Sequence, residues 1–215
     1  MQPRVLSVNA GPRQRLAGVR GPTAIAKSPV DRIEVCEPGP KHGGLGSGVI
    51  CDEIGHPKHH GGSTQAVYAF AREELDWWAA HLGRDLPDAM FGENLTTIGY
   101  DVDASLIGEQ WRVGTAVLAV AGPRIPCHTF AVRMGEKGWI KRFAARERVG
   151  AYLRVVEPGV IAAGDLIEVV DRPRHGFTVP DVFRAAMGDR EVALAVLDAG
   201  ILPPAEQEWL AGRLA

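Results

Sequence analysis

One segment of the chain is dense in chemistry: Gly122-Pro123-Arg124-Ile125-Pro126-Cys127-His128. Two prolines stiffen it, because each locks φ near −65° and removes a backbone donor. The thiol of Cys127 is therefore presented reproducibly, with Arg124 three residues before it and His128 directly after. Arg124, His128 and the later Arg133 can favour a thiolate, the form that attacks electrophiles and binds metals. A small buried hydrophobe is the competing reading, since free cysteine is among the most buried residue types. The apolar run Val117-Leu118-Ala119-Val120-Ala121 enters the segment and reads as a buried strand. If the strand continues, Cys127 and His128 point to opposite sides and His128 is poorly placed as a base. A cysteine hydrolase would then need a histidine from elsewhere, for which His60 is the candidate.

Other residues carry weaker signals. Lys27 follows a candidate strand and precedes Pro29, so it is either an anion contact or a solvated strand-edge lysine. In His59-His60-Gly61-Gly62 the glycines permit positive φ, and their amides could line an anion beside a helix start. Cys51, His56 and His59 have the ligand types for zinc, although C-x4-H-x2-H matches no standard structural zinc pattern. Asn94, in Phe91-Gly92-Glu93-Asn94-Leu95, is suited to a heterocycle edge or to an Asx-turn. Between residues 121 and 154, eight basic side chains (Arg124, Arg133, Lys137, Lys141, Arg142, Arg146, Arg148, Arg154) face only Glu136 and Glu147. A basic stretch around the best thiol, in a chain of net charge −2, suggests a small anionic ligand or else a solvated helix face.

These residues need a scaffold. Its 215 residues suffice for a full core without staples. Short Val- and Ile-rich runs punctuated by Gly and Pro predict strands at 5–9, 23–26, 32–35, 48–53, 94–98, 110–113, 117–121, 151–156 and 165–170. Helical spacing predicts helices at about 65–82 and 137–148. The expected fold class is mostly β with α, a β-barrel-like domain over residues 1–175. A small three-helix module follows over 177–215, opened by a capping box at Thr178 and Asp181. Its six acidic and three basic residues fit a DNA reader poorly, and the overall charge predicts neither a nucleic-acid nor a membrane partner. The basic N-terminal thirty residues superficially suit a transit peptide, but residues 4–9 already alternate like a first strand. No apolar run approaches a membrane span, and three cysteines without a CxxC pair fit a reduced, cytoplasmic setting.

Taken in order, Thr23-x-x-x-Lys27-x-Pro29-Val30, His60-Gly61-Gly62 with Ala66-Val67-Tyr68, Phe91-Gly92-Glu93-Asn94-Leu95, Ile107-Gly108 and Pro123-Arg124-x-Pro126-Cys127 resemble the MOSC domain. The resemblance is to its stand-alone bacterial, YiiM-like type, whose small C-terminal helical module the last residues resemble. It implies a β-barrel-like domain that binds the molybdenum cofactor (Mo-molybdopterin), with Cys127 as the molybdenum ligand and catalytic residue. It further implies Lys27, Arg124 and Arg148 as contacts for the pterin phosphate, with His60, Gly61, Gly62 and Asn94 near the cofactor. The implied activity is reduction of small N-hydroxylated compounds such as hydroxylaminopurines, with electrons from a separate flavin or iron–sulfur reductase. The alternatives are a cofactor carrier or sulfur-transfer module without reductase activity, and a zinc-binding structural protein. The C-terminal helices would dock a partner, pair two subunits as a homodimer or cover an open barrel edge. One departure stands out: His56 replaces the acidic residue usual four positions before the histidine of His-Gly-Gly.

Overall fold

A computed structural model describes residues 2–55 and 60–214. Strand β1 (Arg4–Ala10) opens the chain, followed by a small hairpin of β2 (Gln14–Arg15) and β3 (Pro22–Thr23). Next come β4 (Ser28–Val30) and β5 (Arg32–Val35), then β6 (Val67–Ala71), which runs directly into helix α1 (Arg72–Leu82). Strands β7 (Leu95–Ile98), β8 (Gln110–Val113) and β9 (Ala116–Pro123) lead to helices α2 (His128–Met134) and α3 (Trp139–Arg146). Strands β10 (Ala151–Glu157), β11 (Gly159–Ala162) and β12 (Ile167–Asp171) finish the β portion. Helices α4 (Val179–Met187), α5 (Arg190–Asp198) and α6 (Pro204–Gly212) end the fold.

Eight strands form one sheet in the order β12-β8-β9-β10-β6-β7-β1-β4, antiparallel except for the parallel pair β6/β7. The sheet curls until β1 meets the segment entering β12. Val5 N–H donates to Asp165 O at 2.9 Å, and Ile167 N–H donates to Pro3 O at 3.0 Å. This is the expected β-rich, barrel-like architecture with helices attached. No helix among the described residues is long and apolar enough to cross a membrane.

Several elements depart from the sequence expectation. The helix expected from residue 65 begins only at Arg72, because Val67–Ala71 is a wholly buried strand clasped between β10 and β7. A short apolar run has no periodicity that separates buried strand from helix. The segment 48–53 is not a strand; Val49 makes a single bridge to Val35. The expected strand at 23–26 shrinks to Pro22–Thr23. Helix α2 stands where the sequence predicts no helix, and Cys127 is its N-cap rather than part of a continuing strand. The argument that places His128 opposite Cys127 on a strand therefore does not apply; the His128 ring instead contacts Gly18 O at 3.3 Å.

The helices α1, α2 and α3 deliver an aromatic cluster to the sheet. Trp78, Phe130, Trp139 and Phe143 interlock with Phe70 of β6 and with Phe91, at ring-centroid separations of 4.6 to 6.4 Å. All are buried, so they form a rigid platform beneath the Cys127 loop. The C-terminal helices join the same core through Val179, Phe183, Val196 and Leu210. Thr178 caps α4 as its sequence foretells, its backbone N–H donating to Asp181 Oδ2 at 2.8 Å.

Candidate functional site

Two cavities meet at Cys127. The inner one, of about 100 Å³, is walled by Lys27, Asp52, Asn94, Arg124 and Tyr68 among others. The outer one, of about 880 Å³, lies between the β9–α2 loop and the C-terminal helices. His60, Gln65, Cys127, Thr129 and Tyr152 line both. Of the residues singled out by sequence, Lys27, His60, Gly61, Asn94, Arg124 and Cys127 thus come together from distant parts of the chain.

The inner chamber is built around a buried ion pair. Lys27 Nζ lies 2.5 Å from Asp52 Oδ2, with side chains 7% and 1% exposed. Asp52 also accepts from Gly11 N–H at 3.0 Å, Asn94 Nδ2 at 3.1 Å and Ser47 Oγ at 3.2 Å. Burial pushes the Lys27 ammonium below its ordinary range, while the Asp52 charge and hydrogen bond oppose that shift. Lys27 is thus locally neutralised. No local pattern marks Asp52 in the sequence, because its ionic partner lies 25 positions away.

Arg124 is placed differently. Only 6% exposed, it donates from Nη1 to Phe91 O and lies over the Phe130 ring at 4.1 Å and the Tyr68 ring at 4.8 Å. Among the described residues no carboxylate forms an ion pair with it. A guanidinium held on aromatic faces in a buried wall keeps its charge. Burial, opposed by the Arg124 charge, raises the phenol pKa values of Tyr68 and Tyr152 above their ordinary range. Both rings remain neutral, and Tyr68 donates its hydroxyl to Val149 O at 2.8 Å.

Beneath Arg124 lies Glu93, wholly buried, which accepts from Ala89 N–H at 2.7 Å, Phe91 N–H at 3.0 Å and Thr96 Oγ1 at 3.0 Å. Burial pushes its carboxyl up to about 7, opposed by hydrogen bonds from its own backbone N–H, from Thr96 and from Ala89 and by the Arg124 charge. Glu93 thereby shapes the turn whose Phe91 carbonyl holds Arg124.

Three expectations change. Asn94 lines the chamber, yet its Nδ2 donates to Asn9 O and Asp52 Oδ2, and its Oδ1 accepts from Tyr68 N–H. With both amide hydrogens committed, it positions Asp52 rather than donating to a heterocycle. The amides of Gly61 and Gly62 do not cradle an anion: they donate to Gln65 Oε1 at 3.1 Å and Gly46 O at 2.9 Å. These glycines are required by close packing instead. A Cβ on Gly61 would stand 2.6 Å from Gly46 O, and one on Gly62 would stand 2.8 Å from Lys41 Cα, both at positive φ. Gly61→Ala is accordingly expected to cost at least about 1–3 kcal/mol, measurable by urea unfolding.

Arg148 is the third correction. It lines neither cavity; its guanidinium reaches Glu74 at 3.0 Å, Asp101 at 2.7 Å and Asp103 at 3.7 Å. A charge count along the chain does not register Glu74, which answers both Arg146 and Arg148 from α1. The zinc alternative lies partly outside the described residues, since His56 and His59 do. Cys51 is exposed, and among the described residues no cluster of three metal-ligating side chains occurs.

Comparison with known proteins places this geometry. The MOSC domain family profile matches residues 56–168. The chain is 35% identical to YflK of Bacillus subtilis over 121 residues, 56% of this chain and 55% of that protein. It is 30% identical to YiiM of Escherichia coli over 159 residues, 70% of this chain and 65% of that protein. A protein named Reductase from Gibberella moniliformis is 33% identical over 155 residues, 70% of this chain but 27% of its own length. The matches thus span between about a quarter and two thirds of these relatives. In fold, the crystal structure of YiiM from Geobacillus stearothermophilus superposes with a TM-score of 0.77 at 24% identity, covering 99% of this chain and 100% of that one. The chain with the thiol at the meeting of two chambers belongs to the MOSC domain family, in its YiiM-like form.

Proposed function

We propose that the protein is a molybdenum-cofactor-dependent reductase of small N-hydroxylated compounds. The observation that carries the cofactor reading is the pairing of charges in the inner chamber. Lys27 is neutralised by Asp52, whereas the buried Arg124 has no carboxylate partner among the described residues and faces the same space as Cys127. A buried cation with no carboxylate at ion-pair distance, beside a soft thiol donor, suits an anionic, sulfur-liganded metal group. The volumes fit as well. The inner chamber is too small for a whole pterin, but the outer chamber falls within the usual range of about 300–1,000 Å³ for ligand sites.

In this reading Cys127 ligates molybdenum and Arg124 answers the negative charge of the bound group. Lys27 and Asp52 hold the chamber wall, and the neutral phenols of Tyr68 and Tyr152 close it against solvent. The cofactor, when bound, supplies two-electron redox chemistry. The overall conversion is R–NHOH + 2e⁻ + 2H⁺ → R–NH₂ + H₂O: the N–O bond breaks and the oxygen leaves as water. A separate flavin or iron–sulfur reductase delivers the electrons, and the relative named Reductase supports the redox assignment.

The test is metal analysis. Protein purified from a host that makes the cofactor is expected to carry molybdenum and pterin, and Cys127→Ser to lose at least about nine-tenths of the molybdenum. Equal molybdenum in both proteins would overturn the ligand assignment. Molybdenum without turnover of a hydroxylaminopurine by any supplied donor would instead favour a cofactor carrier.

A further inference from the structure

The α2–α3 hairpin leaves the Cys127 loop and carries a charge pattern that the chambers do not use. Its segment Lys137-Gly138-Trp139-Ile140-Lys141-Arg142 holds three basic side chains and no acidic one, in a chain of net charge −2. Lys137, Ile140, Lys141 and Arg142 are exposed, whereas Trp139 and Phe143 of the same helix are buried. Glu136, in the turn before α3, is already answered by Arg84 at 3.6 Å and Arg142 at 3.4 Å. Lys137 and Lys141 form no ion pair among the described residues. None of these side chains lines either chamber. A cationic rim around an exposed isoleucine, with two lysines that no carboxylate answers, has the make-up of an interface with an acidic protein.

What lies under this face decides which acidic protein it fits. Trp139, in the first turn of α3, packs against Phe130 at 5.4 Å between ring centroids. The Arg124 guanidinium stands 4.1 Å from the centroid of the same Phe130 ring, and Arg124 lines the inner chamber together with Cys127. Two aromatic layers thus lead from the basic face to the chamber wall. The outer chamber is bounded by the β9–α2 loop and the C-terminal helices rather than by α3, so a protein seated on α3 does not fill it.

We propose that the exposed face of α3, formed by Lys137, Ile140, Lys141 and Arg142, is the docking surface for an acidic electron-donor protein. The need for electrons rests on the reductase reading, whereas the docking itself requires no substrate. One turnover takes two electrons, delivered singly by two donor molecules in succession, and two protons from solvent. The N–O bond breaks and the oxygen leaves as water. Ile140 supplies the apolar contact, and the lysines orient the donor and speed its encounter. Because both lysines are solvent-exposed, the attraction weakens as salt is added.

The probe is flavodoxin, a small acidic protein that carries FMN. It is titrated in its oxidised form into the purified full chain by calorimetry at about 0.01 M ionic strength, where the Debye length is about 30 Å. Wild type is expected to bind it, and Lys137→Glu/Lys141→Glu to bind at least about ten-fold more weakly. Arg32→Glu/Arg174→Glu makes the same change in net charge at exposed positions outside α3 and is expected to bind as wild type does. Turnover of a hydroxylaminopurine is the second readout. In the lysine variant the rate with reduced flavodoxin should fall, while the rate with reduced methyl viologen, a small donor that needs no docking surface, should not. No flavodoxin binding to wild type, equal weakening in the two double variants, or loss of the viologen rate in the lysine variant would overturn the proposal. A wild type that binds flavodoxin through the lysines yet turns nothing over with viologen would refute the reductase reading and still support the surface.

Discussion

Replacing Asp52 by alanine is expected to lower the unfolding free energy by about 3–5 kcal/mol, the usual cost of removing one partner of a buried ion pair. The magnitude follows from what the carboxylate holds. It is the sole ionic partner of Lys27 among the described residues, and it also accepts from Gly11, Ser47 and Asn94. Alanine would leave a buried ammonium and three donors without their acceptor. Lys27→Met is expected to cost less, because Asp52 keeps its other three donors. In the double variant Lys27→Met/Asp52→Ala the charge penalty disappears with the lysine, so the loss should fall short of the sum of the single losses by more than 1 kcal/mol. Urea unfolding of the four proteins in a double-mutant cycle measures the difference. Additive losses would show that the pair is not coupled.

The second large effect is on pH dependence. Burial raises Glu93 from 4.5 to about 7 and Asp103 from 3.8 to about 6. In both, desolvation outweighs the hydrogen bonds and positive charges that favour the ionised form. Between the ordinary carboxylate range and neutrality the folded protein therefore holds protons that the unfolded chain has released. Stability then falls as pH rises through that window, and the contribution is present in full only below the unfolded pKa values. For Glu93 the change is on the order of 3 kcal/mol, at 1.36 kcal/mol per pKa unit. Urea midpoints should decline from pH 5 to pH 7.5, the reverse of a protein stabilised by salt-bridged carboxylates. Glu93→Gln should flatten the part of the decline nearest pH 7, whatever it does to stability at pH 5. An unchanged slope in that variant would refute the assignment.

How far the sequence could be read depends on the distance over which each signal acts. Strands β5 and β8 are anticipated residue for residue, because alternation over four residues is a local property. The capping box of α4 is equally local. Strand β6 escaped because Val67-Tyr68-Ala69-Phe70-Ala71 is buried on both faces and therefore does not alternate. Strands β4 and β11 escaped for other reasons: Ser28–Val30 contains a proline and is exposed throughout, and Gly159–Ala162 reads as the tail of a turn. In the site, ordered motifs bring Lys27, His60, Arg124 and Cys127 into one reading because each is recognisable near its own neighbours. Asp52, Gln65 and Tyr152 have no such local mark, since what matters is a partner across the cavity. Arg148 misleads for the same reason. Its positive charge is plain in sequence, but the carboxylates that answer it come from α1 and from the segment after β7.

The curled sheet also has a consequence for the order of events in biosynthesis. Strand β1 completes its pairing only when Asp165 and Ile167 arrive, and the chambers are walled by residues from Val19 to Leu210. A ribosome must therefore make almost all of the described chain before the site can exist. Any cofactor is loaded only after nearly all of the described chain has been made, and cannot template the early folding of the strands that surround it. Contacts this remote in sequence also close late and slowly, so the nascent barrel waits with its edges open.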